Sequence, residues 1–478
     1  MGLNKENRIF KFSKSFYALF FTELWERFSY YGMKAILLFY IYFTFSDGGL
    51  GLPQSTAASI VAIYAALIYL VGILGGYLGD RLLGSYKTVL YGSILIMFGH
   101  ITLSVLYGMN GLFLGLLVVI IGSGLLKPNI SKMVGELYPD RNGLRDSAFY
   151  LYYFGIYIGA FISPILTGWF GFNYNFHYGF GLAAIGMFIG ILCFYFVNKD
   201  LFNEKSFDKI QKHEIKSLFI KVTIGAFGIA FILFLMNLFN CFSIDNLILL
   251  VSIFIIIIPF YLFYSTLSSK KITKMEYSNV LIYVPLFIAT VIYWILQEQV
   301  GLTILLFVEK NVQLGWIPPS WILSLDSFFL ILLTPVFLYF RMKLGNKQST
   351  TAKKSVYALI VSGLAFLILS VSTLMTGYSN KISILWIILP NLLIMLGQVL
   401  IAPTTLSTIY KLAPKFFKSR MMSLWYISNA AGQAINSQIV KYFIHNETTF
   451  FMILAIIPII FAVFLYFNIN KIDKALNI

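Results

Sequence analysis

Long apolar segments separated by short polar ones run through the whole 478-residue chain. The hydrocarbon layer of a bilayer is about 30 Å thick, and a helix crosses it in about 20 mostly apolar residues. Segments of suitable length cover approximately residues 16–44, 56–79, 86–107, 111–133, 147–170, 177–198, 218–240, 246–268, 279–309, 318–341, 354–377, 382–410, 421–444 and 449–469. The pattern predicts an all-α polytopic membrane protein with fourteen transmembrane helices.

Composition and charge agree with this class. Hydrophobic residues make up 59% of the chain and charged residues only 11%, which excludes an ordinary water-soluble globular protein. The net charge of +16 comes mainly from loops that fall on one side, whereas the opposite loops hold only Lys310, Lys381 and Lys441. The positive-inside rule then places both termini in the cytoplasm, without a cleavable signal peptide, and the basic charge indicates no nucleic-acid partner.

The order of the segments predicts three parts. Residues 1–198 hold six spans, residues 199–274 hold a charged linker and a two-helix hairpin, and residues 275–478 hold six more spans. Two six-helix bundles are typical of transporters in which the substrate binds near the middle of the membrane. The hairpin is interpreted as a peripheral insertion.

The first span contains an unusual charged motif, ELWERFSYYG, at residues 23–32. On a helix Glu23, Glu26 and Arg27 lie on one face, with Tyr30 and Tyr31 beside them. Charges inside a membrane are costly, so they pair with one another or line a water-filled path. One interpretation is a buried ion pair that only fixes helix packing. The other is a proton site coupled to an arginine that holds a substrate anion, because two carboxylates exceed what one arginine neutralises.

Two levels of resemblance extend this interpretation. The loop GGYLGDRLLGSYKT, residues 75–88, resembles the signature loop of the major facilitator superfamily, in which Asp80 would be a conformational latch. ELWERFSYYG resembles the first-span motif of the proton-dependent oligopeptide transporters, bacterial type. Similar family segments follow as GLLKPNIS at 124–131, WILQEQ at 294–299 and MMSLWYISNAAGQAIN at 421–436. The resemblance implies the major facilitator fold, with the hairpin inserted between its two bundles.

Carried over residue by residue, the resemblance implies roles for several side chains. Arg27 and Lys127 would hold the carboxylate of a di- or tripeptide, although Lys127 could instead be a structural partner of a carboxylate. Glu298 would pair with Lys34 to close the outer side, and would take part in proton coupling with Glu23, Glu26 and Arg27. The aromatic residues assigned to the substrate pocket are Tyr31, Tyr69, Trp294 and Trp425.

Four positions depart from the family pattern. Tyr157 stands where the family usually has Asn, Gln398 and Gln297 stand where it has acids, and Asp326 replaces an Asn. We assign Tyr157, Asp326 and Gln398 to the substrate site. A buried substrate ammonium needs a counter-charge, so Asp326 is interpreted as a relocated partner for it. The alternative is that Asp326 is a solvated residue at the end of its span.

The predicted function is proton-coupled symport of di- and tripeptides by alternating access in the bacterial plasma membrane. The alternative keeps the fold but carries a peptide-like or other small anionic solute with altered coupling. An enzyme is not predicted, since neither a metal-binding motif nor a phosphate-binding glycine loop with its lysine occurs. Small peptides, protons and lipid are the expected partners of a monomer, and neither a cofactor nor a metal is expected.

Overall fold

The described part of the chain is helical. The computed structural model describes residues 12–138, 142–197, 227–228, 230–344, 350–376 and 381–475, and no β-sheet forms among them. The predicted linker at 199–217 lies outside these residues, as do residues 218–226 and 229 of the predicted span at 218–240. The helices are α1 Lys14–Tyr42, α2 Gln54–Leu78, α3 Ser85–Val105, α4 Gly108–Glu136, α5 Asn142–Asn173, α6 Phe176–Tyr195, α7 at 230–238, α8 Ile244–Leu267, α9 Lys274–Glu298, α10 Thr303–Asn311, α11 Ile322–Leu344, α12 Thr351–Met375, α13 Leu385–Leu412, α14 Lys418–Phe443 and α15 Glu447–Ala475.

Eleven of the helical segments in the described ranges are long and apolar enough to cross a membrane. Helix α1, with 29 residues, is also long enough, but four ionisable side chains interrupt its apolar character. Helix α14 has 26 residues and is the more polar one, rich in Ser, Asn and Gln. Both helices carry motifs that the sequence analysis assigned to the predicted site. The polar and charged side chains of these motifs lower the hydropathy of the two helices.

The helices group into two compact units. Unit 1 comprises Met1–Met33 and Val71–Ser217, and unit 2 comprises Lys34–Leu70 and Leu218–Ile478. The boundary falls within α1, so the two ends of this helix belong to different units. The predicted division into six, two and six helices stays a prediction.

Glycines set the packing of α3 and α4 in unit 1. A Cβ added at Gly99 would come 2.5 Å from a methyl carbon of Val119, and one at Gly92 would come 2.7 Å from the carbonyl oxygen of Gly122. Such spacing has no room for a side chain. Small residues therefore let the two backbones approach closely, which is how membrane helices associate without a hydrophobic driving force.

A second close contact, between α2 and α4, places the turn that carries Lys127. A Cβ at Gly75 would overlap the carbonyl oxygen of Gly124. Pro128 has no N–H, so the carbonyl of Gly124 lacks its usual helical partner. The Asn129 side chain donates to the carbonyls of Gly75, at 2.9 Å, and Leu125, at 2.7 Å. This hydrogen bonding fixes α4 against α2.

In unit 2 the predicted span at 279–309 falls within one segment apolar enough to cross a membrane, Lys274–Asn311, and its helix is interrupted. Helix α9 ends at Glu298, a 3₁₀ turn covers Gln299–Gly301, and α10 begins at Thr303. The side chain of Gln299 donates to Asn436 of α14 at 2.8 Å and accepts from Thr303 at 2.7 Å. These contacts tie the break to α14, and the break lies directly after a predicted functional acid.

Candidate functional site

The charged turn of α1 is buried within unit 1. Glu23 and Glu26 have no exposed surface, and 12% of the Arg27 side chain is exposed. The Nε atom of Arg27 donates to Oε1 of Glu23 at 2.7 Å and lies 3.1 Å from Oε2 of Glu26. Arginine therefore makes its shortest contact to both carboxylates through Nε. Its two terminal amino groups donate no hydrogen bond within the described ranges.

Helix α5 packs directly on this turn because two glycines face it. A Cβ at Gly159 would meet the carbonyl of Leu24 and lie 3.1 Å from the Cβ of Arg27. One turn earlier, Gly155 packs on the ring of Phe20. The close approach brings α5 beside the charges.

Tyrosines of α5 accompany this approach. The hydroxyl of Tyr152 is buried, 3.1 Å from Oγ of Ser131 on α4, and within electrostatic reach of Glu23. Tyr157 is close enough to Tyr31 for the two hydroxyl groups to interact electrostatically. Residues 152–159 of α5, YYFGIYIG, thus supply both the glycines of the close packing and the buried hydroxyl groups. The sequence analysis gave no role to Tyr152.

Lys127 of α4 completes the charge balance of unit 1. Its Nζ lies 3.8 Å from the centre of the Tyr30 ring, and its charge acts on Glu26. Two carboxylates thus face two cations. The cluster is neutral when all four groups are ionised, which agrees with the alternative in which Lys127 is a structural partner of a carboxylate, and the roles of the four residues stay predictions.

The predicted gating pair lies in unit 2. Nζ of Lys34 is 2.8 Å from Oε2 of Glu298, and only 12% and 8% of the two side chains are exposed. A Cβ at Gly301 would lie 3.3 Å from Cε of Lys34, so the turn after α9 leaves space for the lysine. A buried pair at this distance is a charge-assisted hydrogen bond.

Asp326 lies near this pair. Its Oδ2 is 3.5 Å from Nε2 of Gln297, a weak contact, and its Oδ1 is buried without a hydrogen-bond partner among the described residues. Lys34 and Glu298 act on it electrostatically, and the side chain of Asn391 lies beside it. Asp326 as a whole is half-buried, and its role stays a prediction.

The remaining predicted pocket residues of unit 2 are aromatic or amide side chains. The rings of Trp294 and Trp425 are 6.2 Å apart and meet edge to face. Both indole N–H groups and Oε1 of Gln398 are buried and lack a partner among the described residues. Tyr69 is half-buried in unit 2, so it does not share a unit with Tyr31. Unpartnered buried groups are rare in proteins and are typical of sites that a ligand or water completes.

The predicted latch residue lies in unit 1. Asp80 is in a π-helical turn, Gly79–Leu83, that follows α2, and its Oδ1 is 2.6 Å from Nζ of Lys132 on α4. Both side chains are exposed, so the ion pair contributes at most about 1 kcal/mol. A weak pair of this kind is easily exchanged.

A metal site is absent from the described ranges: no group of three His, Cys, Asp or Glu side chains lies close enough to hold an ion. Sequence reasoning missed several amide residues of unit 2, namely Asn391, Asn429, Gln433 and Asn436. Asn391 has both amide atoms buried without a partner in the described structure. The motif MMSLWYISNAAGQAIN contains three of the four, but nothing in their spacing distinguished them from packing residues.

Comparison with known proteins identifies the family. A family model described as PTR2, POT family, matches residues 86–458. The chain belongs to the POT family. It is 38% identical to the di-/tripeptide transporter of Lactococcus lactis subsp. cremoris, over 97% of each chain. It is also 38% identical to the uncharacterized transporter YclF of Bacillus subtilis (strain 168), over 94% of this chain and 92% of that protein.

Solved structures of POT transporters share the fold. A peptide transporter POT in complex with sulfate has 38% identity and a TM-score of 0.94, over 98% of this chain and 97% of that one. A POT family transporter in complex with 5-aminolevulinic acid has 34% identity and a TM-score of 0.91, over 97% and 98%. The major facilitator fold, a polytopic membrane protein and a transporter rather than an enzyme are therefore established for this POT protein.

Proposed function

We propose that this POT protein imports di- and tripeptides together with protons by alternating access. The proposal is supported by relatives described as di-/tripeptide transporters that match nearly the whole chain. It is also supported by buried acids paired with basic groups in both units. Protons are the proposed coupling ion, and the protein is proposed to act as a monomer in the bacterial plasma membrane with both termini in the cytoplasm.

One observation supports the substrate class most directly. Arg27 makes its shortest contacts to both carboxylates through Nε, and its two terminal amino groups donate no hydrogen bond within the described part of the chain. A guanidinium in this arrangement is held in position by two acids while it grips a third anion with two donors. We propose the terminal carboxylate of a peptide as that anion, with Lys127 as the second cation and Tyr31 and Tyr157 as neighbouring side chains, and the assignment of Tyr69 to the pocket stays a prediction.

Unit 2 is proposed to supply gating and the contacts for the rest of the peptide. The Lys34–Glu298 pair would close the outer side when formed, and Asp80 would act as a latch near the membrane edge. Trp294, Trp425 and Gln398 present buried polar groups without partners, which suits contacts to a peptide backbone. Glu23, Glu26 and Glu298 are the proposed proton carriers, and Asp326 remains the proposed partner of the substrate ammonium.

A second candidate substrate is a small amino acid-like anion. The structural relative in complex with 5-aminolevulinic acid supports it, because that compound carries a carboxylate and an amine as a peptide does. The same Arg27 and Lys127 pair would hold its carboxylate. The difference between the two candidates is the peptide bond, for which the unpartnered indole and amide groups of unit 2 offer contacts.

The test is uptake by purified protein reconstituted into lipid vesicles with an imposed proton gradient. Radiolabelled dialanine and trialanine are compared with 5-aminolevulinic acid and free alanine, with and without the gradient. We expect gradient-dependent accumulation of both peptides. Accumulation of 5-aminolevulinic acid alone would favour the second candidate, and peptide uptake that ignores the gradient would remove proton coupling.

A further inference from the structure

The buried charges of unit 2 do not balance, in contrast to those of unit 1. Lys34 faces two acids, Glu298 at 2.8 Å and Asp326 within electrostatic reach. With all three groups ionised the cluster carries one surplus negative charge. A surplus charge away from water is costly, and uptake of one proton removes it.

Two contacts place Asp326 near the Lys34–Glu298 pair. Gln297, whose amide is 3.5 Å from Asp326, directly precedes Glu298 in α9. A Cβ at Gly301 would lie 3.3 Å from Cε of Lys34 and 3.6 Å from Leu323 of α11. Leu323 and Asp326 are i and i+3 on α11, so they share a helix face. That face borders the space the lysine occupies.

The groups around Asp326 suit a carboxyl that gains and loses a proton. Its Oδ1 has no hydrogen-bond partner in the described part of the chain, nor do the amide atoms of the neighbouring Asn391. The other titratable groups that act on it are Lys34, Glu298 and Tyr293, whose hydroxyl donates to the carbonyl of Ile394 at 3.0 Å. A protonated Oδ1 could donate to the amide oxygen of Asn391, and an ionised one could pair with Lys34.

We propose that Asp326 and Glu298 form a carboxylate pair that binds one proton and shares Lys34. When the proton is on one carboxyl group, the lysine pairs with the other. The gate therefore retains an ion pair whether the proton is on Asp326 or on Glu298. This inference rests on the proposed proton-coupled transport and adds a second acid to its gate. It gives Asp326 a role that does not require the substrate's amino group.

The experiment measures how gradient-driven uptake depends on pH in vesicles that contain Asp326→Asn, Asp326→Glu or the parent protein. Asp47→Asn is the matched control. Asp47 is an exposed carboxylate in the 3₁₀ turn Phe45–Asp47 between α1 and α2, and it accepts a hydrogen bond from the Thr44 hydroxyl. Each protein is tested with dialanine and N-acetyl-dialanine. The Tm of each protein in detergent is recorded from pH 5 to pH 8 as a readout independent of transport.

We expect Asp326→Asn to move the midpoint of the pH profile toward acid by about one pH unit for both peptides, because a single carboxylate beside Lys34 leaves no surplus charge for a proton to neutralise. Asp326→Glu should retain most of the parent's profile, and Asp47→Asn all of it. The Tm of the parent minus the Tm of Asp326→Asn should increase as the pH falls. The reason is that a proton neutralises the surplus charge only in the parent.

Two results would overturn the inference. One is a set of pH profiles and Tm curves that superimpose for the parent and Asp326→Asn. The other is a loss confined to peptides with a free amino group, which would make Asp326 the ammonium partner alone. If the parent itself accumulates no peptide, the proposed function fails, and the Tm curves still decide whether the two acids share a proton.

Discussion

Replacing Arg27 with lysine separates the two tasks that the structure gives this side chain. Lysine carries its nitrogen one bond further from Cα than the Nε of arginine, so an ammonium there can still contact Glu23 and Glu26. The two terminal amino groups are lost. If they bind the substrate carboxylate, the variant loses at least one charge-assisted hydrogen bond. One such bond contributes about 1.5–3 kcal/mol. This corresponds to a roughly 10–150-fold weaker apparent affinity.

The assay is competition of unlabelled peptides against labelled dialanine uptake, with Tm measured on the same preparations. We expect the Tm of Arg27→Lys to stay close to that of the parent while the inhibition constant of dialanine rises by the stated factor. Dialanine amide, which has no terminal carboxylate, should bind the parent and the variant almost equally. An unchanged affinity for dialanine would refute the two-donor grip, and an equal loss for both ligands would assign Arg27 to the packing of α1.

Three further predictions follow from the same contacts. Glu23→Gln should suppress gradient-driven accumulation but keep part of the peptide exchange, because an amide can accept from Arg27 without titrating; equal accumulation by variant and parent would contradict this. Lys127→Ala should lose discrimination between dialanine and its amide in the same competition assay, and unaltered discrimination would leave the lysine as a partner of Glu26. Lys34→Ala should lower the Tm at pH 8 more than at pH 5, since a buried Glu298 without its cation costs about 3–5 kcal/mol until it is protonated; a pH-independent difference would argue against the pair.

Hydropathy was sufficient to predict the fold class of this protein. Segments of the right length and the one-sided distribution of Lys and Arg depend on the bilayer rather than on tertiary detail, so they are readable in the sequence. The interruption after Glu298 was not readable. The residues Gln299–Gly301 are compatible with a continued helix, and the turn exists because Gln299 bonds to Asn436, far away in the chain.

The candidate site shows the same limit. The i, i+3 and i+4 spacing of Glu23, Glu26 and Arg27 predicted their contact, because all three lie on one helix. The balance of charge could not be decided from the sequence, since it depends on Lys127 reaching the cluster from α4. The position of Asp326 also needed the structure, because neither its burial nor its closeness to Gln297 follows from local sequence.

The glycine contact between α3 and α4 has a consequence for how the protein is made. The two helices are consecutive in the chain, joined by a very short loop, and their fit depends on backbone shape at Gly92, Gly99 and Gly122. It requires no side chain from unit 2. A ribosome that has released α4 into the membrane has therefore supplied everything this helical hairpin needs to assemble. The α3–α4 hairpin can therefore form early in the bilayer, and the later helices of unit 1 can pack against it during synthesis.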